Sequence, residues 1–168
     1  EDGVPLRKKE EARRNVLSFM HRNPKIIPEL AIRINSAETQ DGMQDLQKVV
    51  LSKEVAPRIK AVIVPKVERG RTVKAIEWFL RTNNLSHVEI LAMIETPLGL
   101  AKVNKIASSS KALTGLIFGS EDYRSASGIT REFGDEPILA ARSAIVTAAR
   151  GYNLQAIDMT SLDFRRSS

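Results

Sequence analysis

Two carboxylates stand where a parallel β/α fold would place its chemistry. Glu95 follows the apolar run Ile90-Leu91-Ala92-Met93-Ile94, and Asp122 closes Gly119-Ser120-Glu121-Asp122, just after Leu116-Ile117-Phe118. In such folds ligands sit at the C-terminal ends of the strands. Neighbouring strands lie about 4.8 Å apart, so two acids from consecutive tips can share one ion. Magnesium suits that arrangement, because it takes one or two protein carboxylates and completes its octahedron with water and substrate oxygens. A plainer role is open to both acids. An acid just past a strand can also sit at the N-terminus of the next helix, where the dipole favours negative charge.

Arg33 lies within the apolar run Leu30-Ala31-Ile32-Arg33-Ile34. A cation inside such a strand is costly unless it is paired or faces a polar cavity. Either it forms an ion pair with an acid of a neighbouring strand, or its guanidinium is aimed at a substrate oxygen. Further polar tips are the opening Glu1-Asp2-Gly3, then Asn35, Pro65-Lys66 and Asp158. His21 falls at the polar end of a helical stretch and His87 just before a strand, so both read as surface or capping residues. Ser108-Ser109-Ser110 reads as a loop. The chain has no cysteine, which excludes thiolate nucleophiles, disulfides and cysteine-bound zinc. No glycine-rich phosphate loop of the Walker or dinucleotide type is present.

The elements that must hold these residues recur at a regular interval. Apolar runs begin near positions 30, 60, 89, 115 and 154, a unit of about 30 residues that points to strands joined by crossover helices. Leu46, Val49 and Val50 share one face of the first intervening helix. Val73, Ile76, Phe79 and Leu80 follow the 3.6-residue period in the next, with Lys74, Glu77 and Arg81 turned to water. A helix is expected over 6–22 and another over 136–150, with Pro137 in its first turn and Gly151 as a left-handed stop. Two folds fit: a (β/α)₈ barrel, which takes about 250 residues and would be incomplete here, and a five-stranded flavodoxin-like sheet. In the barrel reading the chain is one partial catalytic domain over 1–168, starting at the tip of an absent strand and stopping before its last elements.

Composition narrows the function classes. The 168 residues are 42% hydrophobic and 27% charged, as in an ordinary soluble globular protein. No run approaches the roughly 18 apolar residues of a membrane span. The N-terminus opens on acids, unlike a signal or transit peptide. The net charge of +6 comes from basic residues spread over several segments, and only 5% of residues are aromatic. That distribution argues against a nucleic-acid surface. It leaves room for a solvated basic exterior or an anionic small molecule.

Taken in order, the strand tips resemble the citrate lyase beta-subunit family, within the wider group of class II aldolase and malyl-CoA lyase barrels. The residues are Glu1-Asp2-Gly3-Val4 before a Lys- and Arg-rich helix, Arg33-Ile34-Asn35, Val64-Pro65-Lys66-Val67-Glu68, Ile94-Glu95-Thr96-Pro97-Leu98-Gly99-Leu100, Phe118-Gly119-Ser120-Glu121-Asp122-Tyr123-Arg124 and Ala156-Ile157-Asp158. The segment Asp122 to Gly128 and the closing Leu162-Asp163-Phe164-Arg165 are most similar to the branch that acts on citramalyl-CoA. The resemblance implies a (β/α)₈ TIM barrel with Glu95 and Asp122 as ligands to Mg²⁺, or to Mn²⁺ in its place. It implies that Arg33 contacts a substrate oxygen near the breaking bond, and that Asp2 and Glu1 stand beside the ion's water or act as acid and base. The substrate it implies is a 3-hydroxyacyl thioester of coenzyme A or an acyl carrier protein, split into an acyl thioester and a 2-keto acid. It further implies a soluble, intracellular homo-oligomer, a trimer by family pattern, in the cytoplasm or the mitochondrial matrix. Two other readings stay open: an aldolase acting on free hydroxy-keto acids, and a catalytically silent subunit that keeps the fold.

Overall fold

A computed structural model describes residues 3–23 and 29–158. The chain enters through a 3₁₀ turn, Leu6–Lys8, into helix α1, Lys9–Arg22. Strands β1 (Leu30–Arg33), β2 (Ile59–Val64), β3 (Glu89–Ile94), β4 (Leu113–Phe118) and β5 (Gln155–Ile157) then alternate with helices. These are α2 (Gln40–Asp45, continued by a π-helical stretch Leu46–Val50), α3 (Gly70–Thr82), the short pair α4 (Pro97–Ala101) and α5 (Val103–Ala107), α6 (Ser120–Ser127) and α7 (Leu139–Gly151).

The five strands form one parallel sheet in the order β1-β2-β3-β4-β5. That order decides between the two folds. A flavodoxin-like sheet runs 2-1-3-4-5 and carries helices on both faces. Five parallel strands in chain order step in one direction only. Because crossovers are right-handed, every helix then falls on the same face, as in a (β/α)₈ barrel.

Burial along the strands shows the same division. Val62 and Val64, Ile90, Ala92 and Ile94, Leu116 and Phe118 point toward the helices and are buried. They pack in one cluster with Val73, Ile76 and Leu80 of α3, Val103 and Ile106 of α5, and Ile145 and Ala148 of α7. The alternate residues form the other face. There Ala31 and Arg33 of β1 are exposed, Ile63 and Leu91 are half-buried, and Gln155 and Ile157 of β5 are exposed. In a barrel this second face lines the interior.

Leu116 sits at the centre of the core and is fully buried. Leu116→Ala should cost about 2–5 kcal/mol, the range for truncating a packed leucine. Urea unfolding of the full-length protein would show it as a lowered midpoint with little change in m.

Two expectations need correction. The runs at 30–34 and 154–157 are buried only in part: Ile34 and Leu154 are buried, whereas Ala31, Arg33, Gln155 and Ile157 lie exposed on the open face of the outermost strands, the face that lines the interior in a closed barrel. Gly151 is not a left-handed stop. It is the last residue of α7, and the left-handed position is Asn153, with φ 57°. Asparagine tolerates that region because its short amide can bond locally. Pro137 does lie in the opening turn of the segment, in the 3₁₀ turn Glu136–Ile138.

Candidate metal site at the strand ends

Glu95 is the first residue beyond β3 and is only 3% exposed. The alternation of β3 puts it on the same side as Leu91 and Met93, the open face. Its Oε1 accepts a 2.8 Å hydrogen bond from the backbone N–H of Lys66, one strand away. Lys66 adopts φ 52°, a left-handed conformation that costs a non-glycine residue about 1–2 kcal/mol. The turn that imposes it is tightly fixed. Val67 N–H donates to Met93 O at 3.1 Å, and Thr96 Oγ1 donates to Glu68 Oε1 at 2.9 Å. Gly99 packs so closely that a Cβ there would lie 2.6 Å from Val67 O.

Glu95 is pressed from its other side by Gly119. A Cβ on Gly119 would come within 2.4 Å of Glu95 Oε2 and 2.7 Å of Glu95 Cβ. Gly119 N–H donates to Ile94 O at 3.1 Å, so the tips of β3 and β4 are locked together. From Gly119 the chain turns directly into α6, whose first turn carries Glu121 and Asp122. Tyr123 stacks edge-on against Phe118 at 5.5 Å and holds that turn on its strand. Asp122 faces water, and its Oδ1 lies 3.9 Å from Lys66 Nζ. Lys66 thus touches both acids, Glu95 through its amide and Asp122 through its ammonium, and all three share one rim.

The plainer reading is met for only one acid. Asp122 does lie in the first turn of α6, where the helix dipole favours it. Glu95 is not a cap. Thr96 is the N-cap of α4, accepting from Gly99 N–H at 3.1 Å. A buried carboxylate with a second carboxylate on the same rim offers oxygen ligands, which suit a hard cation. Two carboxylates are what magnesium typically takes from protein. No group of three or more His, Asp or Glu suited to a metal occurs among the described residues. Water and substrate oxygens would have to complete the shell.

Arg33 shares the open face with Glu95. It pairs in register with Ile63, which pairs with Leu91. Asn35, just above it, is 4% exposed and fully engaged. Its N–H and Nδ2 donate to Asp45 Oδ2 at 2.7 and 2.6 Å, and its Oδ1 accepts from Lys9 Nζ. Asp45 in turn accepts from Arg13 Nε at 2.6 Å, and Arg13 also binds Asp41 at 2.8 Å and Gln44 at 2.8 Å. Burial works against the Arg13 charge, but hydrogen bonds to Asp41 and Asp45 outweigh it and raise its pKa. This network fixes the tip of β1 from behind. Asp45→Ala would leave Arg13 Nε and the two Asn35 donors without their acceptor, while Asp41 still pairs the guanidinium, so the cost should be that of unsatisfied buried donors, about 1–3 kcal/mol. Thermal unfolding of that variant should fall well below the parent.

The residues set aside stay away from this rim. His21 and His87 are exposed at the end of α1 and ahead of β3. Ser108 and Ser109 donate to the carbonyls of Asn104 and Ile106, and Ser110 Oγ accepts from Ala112 N–H. They border a cleft of about 790 Å³ at the opposite strand ends, with Glu89 and Leu113. Asp158 is held to the helical side by Arg142 Nε at 3.1 Å. Glu1 and Asp2 lie outside the described residues, as does Leu162-Asp163-Phe164-Arg165. No helix among the described residues is long and apolar enough to cross a membrane.

The profile of the HpcH/HpaI aldolase/citrate lyase family matches residues 1–168. The mitochondrial citramalyl-CoA lyase of Homo sapiens is 30% identical over 181 residues, covering 98% of this chain and 52% of that protein. The citrate lyase subunit beta of Escherichia coli K12 is 32% identical over 169 residues, covering 97% and 54%. The chain thus spans about half the length of the curated relatives it matches. Among solved structures, RipC from Yersinia pestis superposes with a TM-score of 0.81 at 28% identity, covering 99% of this chain and 69% of that one. The citrate lyase beta subunit of M. tuberculosis, complexed with oxaloacetate and magnesium, gives 0.76 at 27% identity, covering 99% and 68%. Matched from end to end, and built on a sheet of barrel order, the chain belongs to the HpcH/HpaI aldolase/citrate lyase family.

Proposed function

We propose that the complete protein is a magnesium-dependent carbon–carbon lyase acting on a 3-hydroxyacyl thioester such as citramalyl-CoA, malyl-CoA or a citryl thioester. The observation that carries this reading is the convergence of Glu95 and Asp122 on Lys66 at one rim of the sheet. Relatives named citramalyl-CoA lyase and citrate lyase subunit beta support the substrate class. A neighbour holding oxaloacetate and magnesium supports the ion and the keto-acid product.

The residues divide the work as follows. Glu95 and Asp122 would hold the ion, with Mn²⁺ able to replace Mg²⁺; when bound it polarises the substrate oxygens. Glu95 is kept in place by the Lys66 amide and by contact with Gly119, so it needs no reorganisation as charge develops. A base takes the hydroxyl proton, the carbon–carbon bond breaks, and its electron pair moves to the α-carbon of the thioester. The products are a 2-keto acid and a thioester enolate, which then gains a proton. Arg33, on the open face, would bind the anionic oxygen near that bond. Asp2 and Glu1 are assigned to proton transfer.

Thioester chemistry separates this reading from its rivals. The full-length protein with Mg²⁺ should release pyruvate from citramalyl-CoA, glyoxylate from malyl-CoA or oxaloacetate from a citryl thioester. Cleavage of free hydroxy-keto acids, with no dependence of the rate on a thioester, would favour an aldolase. Binding of ion and keto acid without any cleavage would favour a silent subunit.

A further inference from the structure

The ion site contains a residue that the lyase chemistry does not require. Lys66 lies at φ 52° and joins the two acids, with its amide 2.8 Å from Glu95 Oε1 and its ammonium 3.9 Å from Asp122 Oδ1. These two contacts are separable. The first belongs to the backbone and survives any side chain that tolerates a left-handed conformation. The second is a charge, and an incoming divalent cation would carry the same sign into the same space.

We propose that the Lys66 ammonium is a built-in counter-ion of the Glu95–Asp122 pair, competing with the divalent cation, while the Lys66 amide positions Glu95 for it. This rests on the reading of those acids as the ion's ligands. Without the ion, the ammonium offsets part of the negative charge that two neighbouring carboxylates bring together. With the ion present, Lys66 either withdraws from Asp122 or stays and repels it. Both outcomes lower the affinity for the bare ion. The side chains of Lys66 and Asp122 are 38% and 51% exposed, so solvent screens the effect to a modest size.

The test is Mn²⁺ binding by the full-length protein, followed by electron paramagnetic resonance of the free ion. Lys66→Asn and Lys66→Gly both remove the charge and keep the left-handed turn, since those residues adopt it readily. Each should bind Mn²⁺ about three- to ten-fold more tightly than the parent at low salt. Lys66→Arg, which keeps the charge, should stay near the parent value. Raising the ionic strength to about 0.5 M should close most of the gap, because the Debye length there falls well below 10 Å. A purely structural role for Lys66 would give neither the tightening nor the salt dependence. Unchanged or weaker binding in both neutral variants overturns the proposal. Parent-like Mn²⁺ binding by Glu95→Gln would instead overturn the ligand assignment beneath it.

Discussion

Glu95→Gln should weaken divalent-ion binding by the full-length protein more than about 100-fold, since even partners of ligands are worth 10- to 100-fold. Thioester cleavage should fall on the order of 10³-fold. The substitution is chosen for its shape. Glutamine keeps an oxygen for the Lys66 N–H that now bonds Oε1 at 2.8 Å, and it fits the same space against Gly119. Only the charge is lost. Isothermal titration with Mg²⁺ separates loss of the site from loss of fold, because the circular dichroism spectrum and unfolding midpoint should change little. Asp122→Ala should produce the same loss of cleavage. Asp122 is exposed in the first turn of α6, so its removal disturbs no packing. A variant at either position that still cleaves at the parental rate would remove both acids from the mechanism.

Gly119→Ala should be nearly as damaging, although it adds a single methyl group and removes no functional atom. The new Cβ would stand 2.4 Å from Glu95 Oε2, and Gly119 is bonded to Ile94 O and cannot easily retreat. Glu95 is itself restrained by Lys66, so the strain must move the carboxylate. Displacement of about 1 Å can cost roughly 10²-fold in rate. Overpacking should also cost about 1–3 kcal/mol of stability. Gly151→Ala is the control. A Cβ at Gly151 meets nothing within 4 Å, and the residue ends α7, so activity should be unchanged. If Gly119→Ala retains full ion affinity and rate, Glu95 is not held where the structure places it.

Much of this architecture is legible in the sequence because burial is periodic. The five apolar runs mark the five strands, although β2 and β4 begin earlier than the runs do. Lys60 and Thr114 sit inside them on less buried positions and interrupt the apolar signal. Strand order cannot be read from periodicity, because a barrel and a doubly wound sheet alternate β and α alike; chain-order pairing decides it. The short helices α4 and α5 escape notice because a break at Lys102 leaves each only five residues long.

The site divides in the same way. Glu95 and Asp122 can be picked out as acids beyond strand tips, a position where side-chain type carries the signal. Lys66 is visible as a polar tip, but its left-handed backbone and its contact with both acids depend on a neighbouring strand. Gly119 has no side chain to announce a role, and only the nearness of Glu95 gives it one. Arg13 and Asp45 look like ordinary helix charges until the fold brings them together behind Asn35.

The most direct measurement is a crystal structure of the full-length protein grown with Mn²⁺, with the ion located by its anomalous signal. One peak is expected, with an oxygen from Glu95 and one from Asp122 each within about 2.2 Å and the remaining positions turned to the open face of the sheet. A peak bound elsewhere, or carboxylates more than about 8 Å apart with nothing between them, would contradict this assignment.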